Sequence, residues 1–228
     1  MKSEFQEKFK HSHARYTVEP NGVDAKLFNP RDKTEARRRL GIAENEHIAL
    51  YIGRFFDWKG LEIIPEAIKY ANATIEWYFV GGTKEDFVRI TKKQPEPSMH
   101  FVGGVPQSEV VWWISAADVL LVLGTKRDRQ SFYYTSPMKL FEYLLSERVI
   151  VASDTPAIRE IVSEKEVWFY VPDSAEDIAS KVHEAIISHD MMRERIAAAT
   201  KLGKLYSWHS RAHRILQFIE EKIGHGHM

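Results

Sequence analysis

The sequence contains no cysteine. That single absence excludes disulfides, thiolate metal sites and a cysteine nucleophile. There is no charge of one sign to exploit either, since 32 Lys+Arg balance 32 Asp+Glu. The global basic excess of a nucleic-acid binder is therefore missing, and no nucleic-acid partner is expected. No apolar run has membrane-spanning length, because the most apolar stretch, 110–123, is interrupted by Asp118. The opening residues MKSEFQEKFKHSHARY hold no apolar secretion core, so a cytoplasmic protein is expected. Several chemical signatures are also absent. No G-x-G-x-x-G follows a strand, which disfavours a dinucleotide fingerprint. G-x-x-x-x-G-K-[ST], H-E-x-x-H, G-x-S-x-G and Asp-x-Asp do not occur, so neither a P-loop, a zincin site, a nucleophile elbow nor an acidic metal motif is present.

What is present is a 228-residue chain, 44% hydrophobic and 28% charged, enough for one α/β domain with a sizeable core. Short β-branched runs at 47–53, 75–82, 99–104, 118–124, 148–153 and 167–172 predict strands. Their near-continuous apolarity predicts burial on both faces, as in a parallel sheet. The segment 15–20 (RYTVEP) reads as an earlier strand before the Asn21-Gly22 turn. Helices are expected at 32–40, 60–71, 83–93, 107–116, 136–146, 155–163 and 174–188. Asp32 and Glu35 form a capping-box pattern, and Gly41 is a stop signal. Pro65 predicts a kink or a late helix start. The tail 190–223 reads as two helices with a break at 205–207, and GHGHM at 224–228 as a disordered end. The alternation predicts a doubly wound, mostly parallel Rossmann-like sheet with a helical carboxyl-terminal tail, residues 1–14 being an extension.

Ligands of open α/β sheets bind beyond the carboxyl ends of the strands. The informative residues are those just after each strand. Gly53-Arg54 ends one run, and Lys59-Gly60 opens the following helix, a pair of cations suited to a phosphate or diphosphate. A surface ion pair for Arg54 and a solvated Lys59 would explain the same spacing. Ser136-Pro137 reads as an N-cap before a first-turn proline, which leaves free N–H groups over Met138, Lys139 and Leu140 for an anion. Glu142, further along, suits vicinal hydroxyls rather than phosphate; an exposed salt bridge is its ordinary alternative. Gly103-Gly104-Val105 allows close backbone approach to a flat ring. The run Lys126-Arg127-Asp128-Arg129 reads first as a solvated loop, and second as a phosphate-facing one. Asp118 reads as structural, and Trp58, Trp112 and Trp113 as packing residues.

The order of these motifs says more than any one of them. Asn21-Gly22-Val23-Asp24, Gly53-Arg54…Lys59-Gly60, Phe101-Val102-Gly103…Val105, Ala116-Ala117-Asp118 and Ser136-Pro137-Met138-Lys139-Leu140-Phe141-Glu142-Tyr143 follow one another. This series resembles the carboxyl-terminal, donor-binding half of retaining GT-B glycosyltransferases of family 4, or group 1, from about residue 15 to the end. The resemblance implies that Arg54 and Lys59 contact a donor diphosphate and that Glu142 binds ribose. It implies that backbone N–H groups at Met138 and Lys139 hold phosphate oxygens, and that the loop near Val105 meets the base. Gly53, Ser136 and Leu140 belong to the same segments. The family motif has a second glutamate eight residues before the ribose-binding one; here that place is Tyr134. The implied ligand is a nucleoside-diphosphate sugar as substrate, with no cofactor and no metal. The acceptor (a sugar, lipid-linked sugar or polysaccharide) and an amino-terminal acceptor domain are expected to lie outside the chain, which is expected to be inactive alone, and the full-length enzyme is expected to be cytoplasmic or peripheral to the membrane. A nucleotide-binding module without turnover and a GT-B-fold sugar-nucleotide epimerase are the alternatives.

Overall fold

The computed structural model describes residues 16–223, together with residues 7, 9 and 10. The expected extension at 1–14 otherwise lies outside the described residues, as does the 224–228 tail. Six apolar runs form the strands β1 (His47–Ile52), β2 (Ile75–Val80), β3 (Met99–Gly103), β4 (Val119–Val122), β5 (Val149–Ser153) and β6 (Trp168–Tyr170). All pair in parallel, in the order β3-β2-β1-β4-β5-β6. The register runs from His47↔Ile75 to Ile52↔Val80 on one side of β1, and through Ala49↔Val119 and Leu50↔Leu120 on the other.

Burial on both faces explains why the strands are apolar at nearly every position. Ile48, Leu50 and Ile52 enter one half of the core with Leu120, Phe141 and Ile150. Ala49 and Tyr51 enter the other with Trp77, Phe79 and Leu121.

The helices follow their sequence signals. In α1 (Lys33–Leu40) the Asp32 carboxylate accepts a hydrogen bond from the Glu35 amide at 2.8 Å, and Gly41 closes the helix at φ 71°. Two 3₁₀ turns, Asp57–Lys59 and Leu61–Ile63, precede α2 (Ile64–Tyr70). Pro65 therefore sits in the first turn, where its missing N–H costs nothing, and delays the helix rather than kinking it. Next come α3 (Lys84–Thr91), α4 (Gln107–Ala116), α5 (Met138–Leu144), α6 (Pro156–Arg159) and α7 (Ala175–Ile187). The tail is α8 (His189–Gly203), a 3₁₀ turn at Lys204–Tyr206, and α9 (Trp208–Ile223). No helix among the described residues is long and apolar enough to cross a membrane.

Three expectations need correction. Residues 16–20 form no strand. The sheet ends at β3 and β6, neither of which pairs with this segment, and Pro20 lacks the N–H a ladder needs. The segment instead lies along the tail: Arg214 Nε donates to the Glu19 carboxylate at 2.8 Å, and Val23 forms an isolated bridge with Ser207. Ser136 is not the N-cap of α5. Pro137 occupies that place in extended conformation (ψ 113°), with no side-chain cap, and proline disfavours helical backbone at the residue before it. The helix expected at 155–163 is the single turn α6, capped by the Thr155 hydroxyl.

Asp118 has the structural role expected of it. Its carboxylate accepts from Arg37 Nη2 at 2.8 Å and from the Ile48 amide at 2.8 Å, and pairs with Lys33. It joins α1 to the amino-terminal ends of β1 and β4.

Candidate functional site

The strand order reverses direction between β1 and β4, because the chain leaves β1 toward β2 and β3, then returns to its other side. The loops after β1 and β4 diverge there and open a crevice at the carboxyl edge of the sheet. A cavity of about 510 Å³ fills it, lined by Gly53, Arg54, Lys59, Ser136, Met138, Lys139 and Glu142 among others. Gly60, at φ 76°, lets the β1 loop lie against the end of β4: a Cβ there would stand 3.2 Å from the Gly124 carbonyl oxygen.

The electrostatics of this crevice are unusual for what they leave unpaired. Among the described residues, the exposed Arg54 guanidinium has neither an ion pair nor a hydrogen bond. The Lys59 ammonium lies 3.9 Å from the centre of the Trp58 ring, and burial pulls its pKa down to about 8. The Lys139 ammonium lies 3.5 Å from the centre of the Tyr51 ring. Burial, and then the nearby charge of Lys59, hold its pKa well below the ordinary lysine value, while Glu142 pulls the other way. Burial raises the Glu142 pKa, and Lys139 opposes the rise. No described residue donates a hydrogen bond to the Glu142 carboxylate. Unpaired charges in a partly desolvated cleft are costly, and an anionic ligand bearing hydroxyls would relieve that cost.

A second cavity, of about 490 Å³, is lined by Glu62, Glu66, Lys69, Lys93, Glu96 and Arg127 among others. Its charges are largely matched already: Lys69 Nζ meets Glu66 at 3.0 Å, and Arg127 pairs with Glu62 and Asp173. Of its cations only Lys93 has no ion pair among the described residues, and it stands exposed rather than enclosed by the cleft.

At the start of α5 the Met138 and Lys139 amides occupy the first helical positions and have no acceptor within the helix. The Leu140 amide is already bonded to the Pro137 carbonyl at 3.0 Å, and its side chain is fully buried in the core. Val105 also stands apart. It follows β3, packs partly against the core, and does not line the crevice. Strand β2 separates β3 from the β1–β4 crevice.

The structure adds Phe56 to the cleft and gives Lys139, Trp58 and Tyr134 positions there beyond those the sequence assigned. The Lys139 side chain, not merely its amide, faces the cleft. A signal for this exists: side chains in a first helical turn lean toward the helix N-terminus, here the sheet edge. Phe56 and Trp58 stack with ring centres 5.6 Å apart and planes 17° from parallel, forming an aromatic wall of the cleft. Tyr134 lines the cleft from a π-helical turn, Gln130–Tyr134, and its hydroxyl accepts from Arg129 at 3.0 Å. The cationic run is exposed at Lys126, Arg127 and Arg129, as expected of a solvated loop, and is also tied down at two points. Arg127 is paired, and the Asp128 carboxylate accepts from the Ser131 amide at 2.9 Å.

Residues 32–202 match the family model described as glycosyl transferases group 1. The chain belongs to the group 1 glycosyltransferases. Within this family it is 26% identical over 216 residues to the phosphatidyl-myo-inositol mannosyltransferase of Mycobacterium tuberculosis, covering 91% of this chain and 54% of that protein. It thus spans about half the length of the curated relatives it matches. The fold is similar to that of Anabaena Alr3699/HepE, solved in complex with UDP-glucose (TM-score 0.75, 19% identity, 95% of this chain and 61% of that one). It is also similar to the carboxyl-terminal domain of LpcC, a group 1 family protein from Francisella tularensis. There the TM-score is 0.63 and the identity 18%, over 82% of this chain and 100% of that one. The Rossmann-like fold is that of the carboxyl-terminal domain of GT-B group 1 glycosyltransferases.

Proposed function

We propose that this domain binds a nucleoside-diphosphate sugar in the β1–β4 crevice, as the donor half of a retaining glycosyltransferase. The observation that carries the reading is the convergence of Arg54, Lys59, the Met138 and Lys139 amides and Glu142 on one cleft. Arg54, Lys59 and the two amides take the diphosphate. Glu142 accepts hydrogen bonds from the ribose hydroxyls. In transfer, the bond from sugar C1 to the phosphate oxygen breaks with its electron pair on that oxygen. The acceptor oxygen bonds to C1 on the same face, and its proton passes to the departing phosphate. The main task of the protein is to stabilise the charge growing on that phosphate, and preorganised cations and amides do so. The acceptor side belongs to protein outside this domain, so the chain alone binds donor without transferring sugar. HepE, with its UDP-glucose complex, supports the class of ligand.

Calorimetric titration with UDP, GDP and ADP and their glucose or mannose conjugates tests the reading. One nucleotide series should bind at the crevice, and failure of all three would refute it. Binding should be unchanged by a chelator, because Arg54 and Lys59 neutralise the diphosphate in place of a metal. A large loss on chelation would contradict that role.

Glu142→Ala should weaken nucleoside and nucleoside diphosphate alike, by about tenfold, the loss of hydrogen bonds to a charged acceptor. An effect confined to the diphosphate would overturn the ribose assignment.

The affinity should also depend on pH. Lys59 is protonated below its pKa of about 8 and loses its charge above it. Diphosphate affinity should therefore fall as pH rises from 7 to 9, while nucleoside affinity stays level. Binding at pH 8 should take up protons, detectable as a dependence of the calorimetric heat on buffer ionisation enthalpy. A flat profile would show that the Lys59 charge takes no part.

A further inference from the structure

The sequence assigns Lys139 a backbone amide at a helix start. Its side chain occupies a more particular place. It runs back from the first turn of α5 to the end of β1, where its ammonium rests on the face of Tyr51, 3.5 Å from the ring centre. Tyr51 is itself fully buried, so the aromatic face is a fixed support. Gly53 makes room for the ammonium: a Cβ at that position would lie 3.0 Å from Nζ. No described carboxylate forms an ion pair with Lys139. The neighbouring charges in the cleft are Lys59, Arg54 and Glu142.

This is an unusual way to keep a lysine. An amine on an aromatic ring has no carboxylate to neutralise it, so the charge it carries once an anion binds is directed at that ligand. Three basic side chains, Arg54, Lys59 and Lys139, face one carboxylate here, and an entering anion favours the protonated form of each lysine. A diphosphate sugar has its terminal phosphate oxygen esterified. The free nucleoside diphosphate has that oxygen exposed, and with a second phosphate pKa of about 6 it carries an additional negative charge at neutral pH.

We propose that the Lys139 ammonium is a third cation of the diphosphate site, stored on Tyr51 and directed at the charge that the phosphate gains when the sugar leaves. This rests on the nucleotide-sugar reading of the crevice and deepens it. Lys139 then favours the leaving group over the donor, while Arg54 and Lys59 serve both. The charge that a departing phosphate develops is met by a group that the intact donor uses less. Such an interaction lowers the barrier rather than merely tightening substrate binding.

The test compares uridine, UDP and UDP-glucose as ligands of the wild-type chain and of Lys139→Met, Lys139→Gln and Lys139→Arg, with guanosine, GDP and GDP-mannose in parallel. Melting temperatures confirm folding. In the Met and Gln variants UDP or GDP should weaken by about tenfold or more, the range of a charge-assisted hydrogen bond. The sugar conjugate should weaken by only about threefold, less than half as much in free energy. The nucleoside should stay within about twofold, and Lys139→Arg, which keeps the charge but not the compact ammonium, should restore part of the affinity for the diphosphate. Equal losses for all three ligands would overturn the proposal, because they would mark Lys139 as a structural support of α5. Unchanged diphosphate affinity in folded Met and Gln variants would overturn it too. If the wild-type chain binds none of UDP, GDP and ADP, the nucleotide reading itself fails, an outcome distinct from either of these; if it binds ADP alone, the same comparison runs with adenosine, ADP and ADP-glucose.

Discussion

Arg54→Ala should weaken a nucleoside diphosphate by roughly tenfold to a hundredfold while leaving the bare nucleoside almost unaffected, since a hydrogen bond to a charged group is worth about 1.5–3 kcal/mol. Arg54 suits this contrast because its guanidinium is exposed and has no ion pair or hydrogen bond among the described residues. Its removal leaves no orphaned partner and creates no core cavity. Lys59→Ala should act in the same direction, with an added cost from the uncovered Trp58 ring. Lys59→Arg separates charge from shape: a planar fork in place of a compact ammonium should restore only part of the affinity. The measurement is calorimetric titration with both ligands, with circular dichroism to confirm folding. Equal losses of nucleoside and diphosphate in Arg54→Ala would refute the clamp.

The second large effect concerns stability. Asp118→Ala should destabilise the domain by about 3 kcal/mol, the low end of the cost of breaking a buried ion pair from one side. The variant strands Arg37, which is 2% exposed. The low end applies because Arg37 keeps other acceptors: Nε donates to the Ala116 carbonyl at 3.0 Å, and Nη1 to the carbonyl of Glu44 at 2.6 Å. It applies also because the Asp118 side chain is partly solvated, at 18% exposure. For a domain of this size that is a fall of roughly 6–12 °C in melting temperature. Asp118 lies at the amino-terminal edge of the sheet, away from the crevice. Diphosphate affinity measured well below the transition should therefore match the wild type. A melting temperature within 2 °C of wild type, in the range of a neutral surface change, would contradict this account of Asp118.

How far the sequence reveals this molecule depends on which physical signal each element carries. The six strands of the sheet are legible because burial on both faces forces unbroken apolar runs, as in 47–53 and 118–124. Helices with strong local caps, such as Asp32 before α1, are legible for the same local reason. The segment 15–20 misleads because its composition suits a strand, while a pairing edge is a tertiary property. The start of α5 misleads because Ser136-Pro137 fits two cap registers, and the extended Pro137 backbone decides between them.

The site divides in the same way. Arg54, Lys59 and Glu142 are legible because they flank strand ends and a helix start, where open α/β sheets bind ligands. The Lys139 ammonium is hidden because its role depends on the rotation of α5 over Tyr51. The Phe56–Trp58 stack depends on how two 3₁₀ turns fold the β1 loop. Val105 suggests a flat ligand by its glycines; that it does not line the crevice, with β3 set beyond β2, follows from strand order, which no local pattern encodes.

The central claim is that a nucleoside diphosphate lies in the β1–β4 crevice with its phosphates toward Arg54 and Lys59. A crystal structure of the chain with the tightest-binding nucleoside diphosphate tests this most directly. The account predicts phosphate oxygens about 2.7–2.9 Å from the Arg54 guanidinium and the Lys59 ammonium, the range of charge-assisted hydrogen bonds. It also predicts the Met138 and Lys139 amides aimed at the same phosphates and the ribose hydroxyls on Glu142. A nucleotide seated instead in the cavity of Glu62, Lys69 and Arg127, or bound in the crevice with its phosphates in solvent, would contradict it.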